Sequence, residues 1–200
     1  MPEFELKKVA EADFPSRFGH FRIFGFEGAR PNGVEEALAL RMGDLAASSG
    51  APLVRIHSQC LTGDVLHSLR CDCRAQLELA LDQIAAEKRG LLIYEHQEGR
   101  GIGLLNKLRA YELQDQGLDT VEANERLGFK ADLRDYALPA AIIKYFGLNQ
   151  VRLLSNNPEK VSALENAGVQ VVERAPVIVP PVATTVEYLK TKRDKLGHLF

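Results

Sequence analysis

The stretch that decides the fold is residues 90–116, GLLIYEHQEGRGIGLLNKLRAYELQDQ. Residues 90–94 form an apolar run of the kind that builds a buried strand. Residues 104–116 then carry apolar side chains at helical spacing, and a polar loop with three alternating glycines joins the two segments. A strand, a loop and a helix in this order predict a β-α unit, with any ligand at the carboxyl end of the strand.

The same alternation continues on both sides of this unit. We predict strands at 52–57, 151–154 and 169–172, and helices at 75–89, 139–146 and 158–167, with Gly90 just past the end of the first helix. Upstream, residues 20–26 and 36–40 are predicted to be strands that pair with each other, so the first fifty residues are mainly antiparallel strand. The expected fold class is α/β with a mixed sheet, antiparallel strands first and β-α-β units after them. Residues 177–185 are predicted as a loop leading to a charged final helix.

Composition excludes several classes of protein. The 200 residues carry 25 Lys and Arg against 27 Asp and Glu, a net charge of −2, so no basic field suggests nucleic acid or a membrane surface as partner. No apolar stretch approaches the roughly 18 residues of a membrane span, and the N-terminus mixes charges where a signal peptide is apolar. We expect a cytoplasmic protein with a single domain over 1–200, comprising a strand-rich part (1–50), a core (51–175) and a C-terminal loop and helix (176–200).

All three cysteines of the chain, Cys60, Cys71 and Cys73, lie within fourteen residues. An odd number of thiols in a reducing compartment argues against a disulfide framework, and three soft ligands at this spacing suit zinc. Two alternatives remain open. His57 or His67 would complete a closed structural site, whereas three ligands alone leave the open position of a catalytic site.

The placement of two of these cysteines also favours metal binding. Asp72 is predicted to cap the following helix, which places Cys71 and Cys73 at a helix N-terminus. There the helix dipole favours the thiolate form that a metal requires.

Three further segments have both a functional and a purely structural interpretation. The glycines of loop 95–103 let backbone N–H groups and Arg100 approach an anion, but they equally suit a tight turn. Residues 155–160 offer a polar wall with Lys160 as a phosphate or base contact, or simply a capped helix. The charges around Asp132 are typical of a solvated turn, and the spacing of Tyr111 is typical of a core residue.

Several motifs, taken in order along the chain, resemble the GTP cyclohydrolase II family in its stand-alone form. They are RIHSQCLTGD (55–64), SLRCDC (68–73), QEGRGIGLLNK (97–107), DTVEAN (119–124), LLSNNP (153–158) and GHL (197–199). The resemblance implies hydrolysis of GTP to 2,5-diamino-6-(5-phosphoribosylamino)pyrimidin-4(3H)-one, with release of formate and pyrophosphate, as the first step of riboflavin biosynthesis. It also implies one zinc ion per subunit, magnesium with the GTP phosphates and a homodimer.

The same resemblance implies roles for individual residues. Cys60, Cys71 and Cys73 would bind zinc, Asp132 would accept a proton, Arg134 would be a nucleophile towards the α-phosphorus and Tyr111 would assist ring opening. The residues implied to contact GTP are Arg55, Ile56, His57, Ser58, Gln59, Gln76, Glu98, Gly99, Arg100, Thr120, Ser155 and Lys160. On physical grounds we expect Arg134 to act electrostatically instead, because a guanidinium with a pKa above ~12 is a poor nucleophile.

The chain departs from the family pattern at three places. Gln59 stands where the family has glutamate, Ser155 replaces a threonine, and residues 179–185 lack the usual asparagines. Two other functions therefore remain as alternatives: an enzyme that stops at the formamidopyrimidine and retains the formyl carbon, and a zinc-stabilised nucleotide-binding module without turnover. Tyr111 argues against the first, because the resemblance links complete deformylation to this tyrosine.

Overall fold

The computed structural model describes residues 5–30, 33–46, 50–180 and 183–199. Within these ranges seven strands form one mixed sheet in the order β1-β2-β3-β5-β4-β6-β7. The strands are β1 (Glu5–Ser16), β2 (Gly19–Arg30), β3 (Gly33–Met42), β4 (Leu53–Ser58), β5 (Gly90–Glu95), β6 (Gln150–Leu154) and β7 (Gln170–Ala175). The helices are α1 (Leu61–Asp64), α2 (Cys73–Glu87), α3 (Leu104–Asp115), α4 (Thr120–Arg126), α5 (Ala137–Tyr145), α6 (Pro158–Asn166) and α7 (Val186–Leu196).

The antiparallel half of the sheet matches the sequence prediction. β2 pairs with β1 on one side and with β3 on the other, and Phe24 lies opposite Ala39, which confirms the predicted pairing of the two segments. β3 then joins the rest of the sheet by pairing antiparallel with β5. β1 was not predicted, because most of its residues are exposed and it lacks the apolar alternation that marks a half-buried strand.

The parallel half positions the site. β4 runs parallel to both β5 and β6, and β7 runs parallel to β6. Ser58 at the end of β4 lies opposite Glu95 at the end of β5. Because the carboxyl ends of parallel strands meet at one edge, the loops after β4, β5 and β6 converge there.

Apolar side chains on the two faces of the sheet form two cores. Ile56 and Ile93 pack on one face with α5, whereas Leu53 and Leu92 pack on the other face with α2. The switch of face between consecutive residues is the period of two expected of a strand covered on both sides. Each fully buried side chain of this size stabilises the fold by about 1.5–3 kcal/mol, so the central strands form a rigid support for the loops at their ends.

The end of α2 differs from the prediction. The helix spans Cys73–Glu87 and ends where Lys88 adopts a left-handed conformation, with φ of +54° and its N–H bonded to the Ala85 carbonyl. Gly90 is therefore not the helix terminator but the first residue of β5. A Cβ atom at Gly90 would lie 2.7 Å from the Leu53 carbonyl oxygen, so this position needs glycine because two strands approach closely.

A short helix, α4, was missed in the sequence. Asp119 accepts hydrogen bonds from the N–H groups of Val121 and Glu122, and the Glu122 carboxylate accepts from the Asp119 N–H. This capping box has a sequence signature, an acidic cap followed three residues later by Glu, that could have revealed the helix.

The C-terminal segment contains the predicted charged helix as α7, preceded by a 3-10 turn at Ala183–Thr185. Pro181 and Val182, which belong to the loop that departs from the family pattern, lie outside the described residues. No helix in the described part of the chain combines the length and the apolar content needed to cross a membrane.

Candidate active site

A cavity lies at the edge of the sheet where β4, β5 and β6 end. The loops that follow these strands form its walls together with side chains from the helices. It is lined by every residue predicted for the site except Ile56 and Asp132, namely Cys60, Cys71, Cys73, Arg55, His57, Ser58, Gln59, Gln76, Glu98, Gly99, Arg100, Thr120, Ser155, Lys160, Tyr111 and Arg134. The structure thus brings together residues as far apart in the sequence as Arg55 and Lys160.

The two exceptions lie directly behind the cavity wall. Ile56 is fully buried in the core, and its backbone carbonyl accepts a hydrogen bond of 2.8 Å from the Lys160 ammonium. Asp132 lines a neighbouring shallow pocket. It forms a bidentate ion pair with Arg134, whose Nε and Nη2 atoms donate hydrogen bonds to its carboxylate at 2.9 and 2.5 Å. The expectation of a solvated turn at Asp132 is therefore wrong, since its carboxylate is mostly buried.

The three cysteine sulfurs form a compact cluster at one end of the cavity. All lie within 4.8 Å of one another, and the Cys60 and Cys71 sulfurs are 3.7 Å apart. Among the described residues, neither His57 nor His67 belongs to this cluster. The structure therefore leaves the three-ligand set predicted for a catalytic site, rather than the closed four-ligand set.

The cluster fits a divalent metal. A Cβ atom on Gly63 would lie 2.9 Å from the Cys71 sulfur and 3.1 Å from the Cys60 sulfur, so the backbone of α1 approaches the thiols as closely as glycine permits. Hydrogen bonds from Cys71 and Cys73 lower the pKa of Cys60, while the hydrogen bond to Cys60 raises the pKa of Cys71 to about 11. Without a metal the three thiols thus favour a single negative charge, whereas a soft divalent cation stabilises all of them as thiolates.

The helix start at the cluster differs from the prediction in one detail. Asp72 is the residue before α2, as expected, but its side chain makes no capping hydrogen bond. Its carboxylate instead accepts from Gln76 and from Lys192, a residue of α7 that was not predicted to be near the site. Cys73 is the first residue of α2, which confirms its predicted place at the helix N-terminus.

A buried hydrogen-bond network supports Cys60 from behind. The Asp64 carboxylate accepts from the Cys60 N–H at 3.0 Å and from the Tyr94 hydroxyl at 2.9 Å, and both its oxygens lie 3.2 Å from His57 Nε2. Burial lowers the pKa of His57, so its ring is neutral at neutral pH. Asp64 and Tyr94 were missed as site residues, because their role depends on contacts between α1 and β5 rather than on a motif.

Lys107 brings a positive charge against the thiol cluster. Its ammonium lies 3.1 Å from the Cys60 sulfur and 2.6 Å from Glu98 Oε1. Burial opposes this charge, but Cys60 and Glu98 outweigh burial and raise the pKa of Lys107. The other Glu98 oxygen accepts from the Leu61 N–H at 2.7 Å, so this carboxylate holds the start of α1 in place beside the cysteines.

Tyr111 lies in the cavity and not in the core, so the structural interpretation of its spacing is wrong. Its hydroxyl is 3.1 Å from the Thr62 hydroxyl, which in turn is 3.7 Å from the Cys60 sulfur. Burial raises the pKa of Tyr111, so its phenol is protonated at neutral pH. A proton donor therefore lies two contacts from the thiol cluster.

The cavity also contains cations close to a buried carboxylate, since Arg134 and Lys160 both act on Glu95. Glu95 is only 1% exposed, and its two oxygens accept from Ser58 at 2.6 Å and from Gln97 at 3.1 Å. Burial raises the pKa of Glu95, whereas burial and the neighbouring Arg134 lower the pKa of Lys160. Glu95 was missed in the sequence, although its position as the last residue of an apolar parallel strand could have indicated it.

Two arginines that line the cavity are suited to binding an anion. Burial opposes the charge on Arg134, but Tyr136 and Asp132 outweigh it and raise its pKa, so the guanidinium stays charged. Arg100 follows Gly99, and both adopt left-handed conformations with φ of +61°. Nη1 of Arg100 is buried without a hydrogen-bond partner among the described residues. The loop is thus more than a tight turn, because it places an unsatisfied donor at the cavity.

This mixed sheet, with a three-thiol cluster and six buried or half-buried lysines and arginines lining one cavity, defines an α/β protein with a candidate metal centre beside an anion site. The chain belongs to the GTP cyclohydrolase II family, whose model matches residues 7–176.

Curated relatives match almost the whole chain. A GTP cyclohydrolase-2 of Escherichia coli is 55% identical over 195 residues, covering 98% of this chain and 98% of its own length. A GTP cyclohydrolase-2 of Proteus mirabilis is 54% identical and covers 98% of this chain and 96% of its own. Among solved structures, a two-domain 3,4-dihydroxy-2-butanone 4-phosphate synthase from A. baumannii is 18% identical over 84% of this chain and 39% of that chain. Its TM-score of 0.45 is too low to support an inference about function.

Proposed function

We propose that the protein is a GTP cyclohydrolase II. It hydrolyses GTP to 2,5-diamino-6-(5-phosphoribosylamino)pyrimidin-4(3H)-one, releases formate and pyrophosphate, and so begins riboflavin biosynthesis. The observation that carries this proposal is that the thiol cluster and the cations line the same cavity. The two curated relatives, both named GTP cyclohydrolase-2, extend over nearly the full chain and agree with it.

The thiol cluster is the proposed site of one zinc ion per subunit, held by Cys60, Cys71 and Cys73. Zinc held by these thiolates would supply a water acidified enough to act as a nucleophile at neutral pH. Tyr111 is the proposed proton donor as the five-membered ring of guanine opens. Its raised pKa and its contact with Thr62 support this role, since they keep a phenolic proton close to the cluster.

The cationic end of the cavity is the proposed site of the triphosphate, with magnesium bound to the phosphates. Arg55, Arg100 and Arg134 offer guanidinium groups suited to phosphate oxygens, and Lys160 offers an ammonium. A bound triphosphate would oppose the lowering of the Lys160 pKa, because negative charge nearby favours the ammonium form. The remaining proposed GTP contacts are Ile56, His57, Ser58, Gln59, Gln76, Glu98, Gly99, Thr120 and Ser155.

Arg134 is proposed to stabilise negative charge on the α-phosphate as pyrophosphate leaves. A raised pKa keeps its electrons unavailable for nucleophilic attack, while two hydrogen bonds to Asp132 fix the direction of the guanidinium. Burial favours a protonated Asp132, but Arg134 outweighs it and lowers the pKa of that carboxyl. Asp132 is thus an ionised carboxylate whose lowered pKa makes it a weak base, and its proposed role as proton acceptor rests on the family resemblance.

We also propose that residues 1–200 act as one domain, that two copies form a homodimer and that the protein is cytoplasmic. The mixed sheet that joins both halves of the described chain supports a single domain. Full-length agreement with relatives that have nearly the same length supports it as well.

Product mass after incubation of the purified protein with GTP, zinc and magnesium tests the proposed activity. The expected product has lost both pyrophosphate and the formyl carbon. A product that retains the formyl group would identify the formamidopyrimidine-forming alternative. Tight GTP binding without any product would identify the nucleotide-binding module, and either result would contradict the proposal.

A further inference from the structure

The C-terminal helix closes one side of the cavity. Tyr188 and Lys192 of α7, and His198 just after it, all line the cavity. Contacts at its far end hold the segment in place: Lys195 pairs with Asp119 and, at 2.9 Å, with Glu122 of α4, and the Leu199 N–H donates to the Asn156 carbonyl at 2.9 Å. A segment that the sequence describes only as a charged helix therefore forms part of the site wall.

Lys192 differs from the other lysines of this helix because its ammonium is buried. The residue is 7% exposed, whereas Lys190 and Lys195 are exposed. Its Nζ donates to Asp72 Oδ1 at 2.8 Å and lies 4.5 Å from the centre of the Tyr188 ring. A buried ammonium is costly unless it is paired, so the contact with Asp72 determines where this part of α7 sits.

A chain of hydrogen bonds continues from Asp72 into the cavity wall. Asp72 Oδ2 accepts from Gln76 Nε2 at 2.5 Å, and Gln76 Oε1 accepts from Arg55 Nη2 at 2.8 Å. A carboxylate only accepts and a guanidinium only donates, so together they fix which way the Gln76 amide faces. All three side chains are buried.

We propose that Lys192 is a positioning residue for the reaction: its ammonium holds Asp72, and through Asp72 it orients Gln76 and Arg55 for the nucleotide. This inference rests on the proposed function, and Lys192 need not touch GTP. Asp72 lies between Cys71 and Cys73, so the same contact also fixes the loop that carries two of the thiols. Without Lys192, the Asp72 carboxylate is free to turn to the N–H groups in the first turn of α2, which have no carbonyl partner within the helix, and this releases Gln76.

Lys192→Met tests the proposal, with Lys190→Met as the matched control on the exposed side of the same helix. The first measurement is the affinity of the metal-free protein for a non-hydrolysable GTP analogue, and the second is KM and kcat for formate release. For Lys192→Met we expect analogue affinity to fall roughly tenfold, which is the size expected for losing a charged hydrogen bond, and KM to rise more than kcat falls. Lys192→Arg keeps the charge and should recover most of the affinity, while Lys190→Met should match the parent.

The pathway through Asp72 is tested by Asp72→Asn alone and combined with Lys192→Met. If Lys192 acts through Asp72, the double variant loses about as much affinity as one single variant, because removing both members of a buried pair leaves no unpaired charge. Losses that multiply would contradict the proposed pathway, and parent-like affinity and KM in Lys192→Met would contradict the proposal as a whole. If Lys192→Met does not fold, Lys192→Arg and Asp72→Asn test the proposal instead. Lys192→Arg should then keep most of the affinity for the analogue, and parent-like affinity in Asp72→Asn would overturn the proposal.

These outcomes are separate from the failure of the proposed function. A parent protein that binds the analogue but releases no formate would contradict the activity, while the binding comparison would still test Lys192.

Discussion

Replacing Gly63 with alanine should weaken metal binding while leaving the metal-free fold intact. Gly63 lies in α1 with an ordinary backbone conformation, so alanine itself is expected to stabilise the helix by roughly 0.5–1 kcal/mol. The new Cβ atom, however, would lie 2.9 Å from the Cys71 sulfur, about 0.6 Å short of the ~3.5 Å of an ordinary contact. The Cys60 sulfur at 3.1 Å and the Cys73 Cβ at 3.3 Å prevent a shift to either side.

The distance that the Cys71 sulfur must move determines the expected loss of zinc affinity. Metal–ligand distances tolerate changes of about 0.2 Å, so moving one sulfur by several tenths of an ångström should lower zinc affinity roughly 10–100-fold. Zinc affinity is measured by competition with a chromophoric chelator, alongside the thermal unfolding of the metal-free protein. Gly25→Ala is the matched control, because a Cβ there meets nothing within 4 Å. Parent-like zinc affinity in Gly63→Ala would refute the argument that these three sulfurs hold the metal in this arrangement.

Substitutions at three further residues and one pH measurement test other parts of the site. Cys71→Ser should lose zinc, measured by elemental analysis, and formate release, because a neutral hydroxyl replaces a thiolate; unchanged zinc content would contradict this. Tyr111→Phe should keep the melting temperature within a few degrees and slow formate release at least tenfold, whereas an unchanged rate per folded molecule would exclude the phenol as donor. Arg134→Lys should retain measurable pyrophosphate release while Arg134→Ala loses nearly all of it; a guanylyl adduct in rapid-quench mass spectrometry would instead indicate a nucleophile. Burial lowers the pKa of His198 from 6.5 to about 3. As pH falls below 6.5, His198 therefore gains a proton only when the segment around α7 is undocked. Docking of α7 should weaken by up to about 1.4 kcal/mol at pH 5.5. The protection factors of the α7 amides, which correct for the slower intrinsic exchange at lower pH, should therefore fall between pH 7.5 and 5.5 in the parent but not in His198→Gln.

The parts of the fold that could be predicted from sequence are those with a regular spacing of apolar residues or with turn-forming residues at their ends. The apolar run of β5, the glycine loop and α3 follow from residues 90–116, and the three clustered cysteines predict the cluster of sulfurs that the structure shows. By contrast, β1 is exposed and has no alternation, and Lys88 ends α2 in a left-handed conformation that the sequence favours at Gly90.

The parts of the site that could not be predicted are those created by tertiary contacts. The spacing of Tyr111 on α3 is typical of a core residue, but in the structure its side chain lines the cavity that also contains the thiols. Asp72 has the identity and position of a helix cap, yet its carboxylate pairs with Lys192, which lies 120 residues away in the sequence. The charge pattern of α7 does not distinguish Lys192 from Lys190 or Lys195, because only packing buries one of these ammonium groups.

The central claim is that one cavity carries out both hydrolytic events on GTP, and the ratio of the two small products tests it most directly. With GTP labelled with carbon-13 at C8, magnetic resonance follows labelled formate while a coupled assay follows pyrophosphate in the same sample. The account predicts one formate for each pyrophosphate from the parent protein with zinc and magnesium, and loss of the formate signal when Cys71 is replaced by serine. Pyrophosphate without labelled formate from the parent protein, or equal formate from Cys71→Ser, would contradict it.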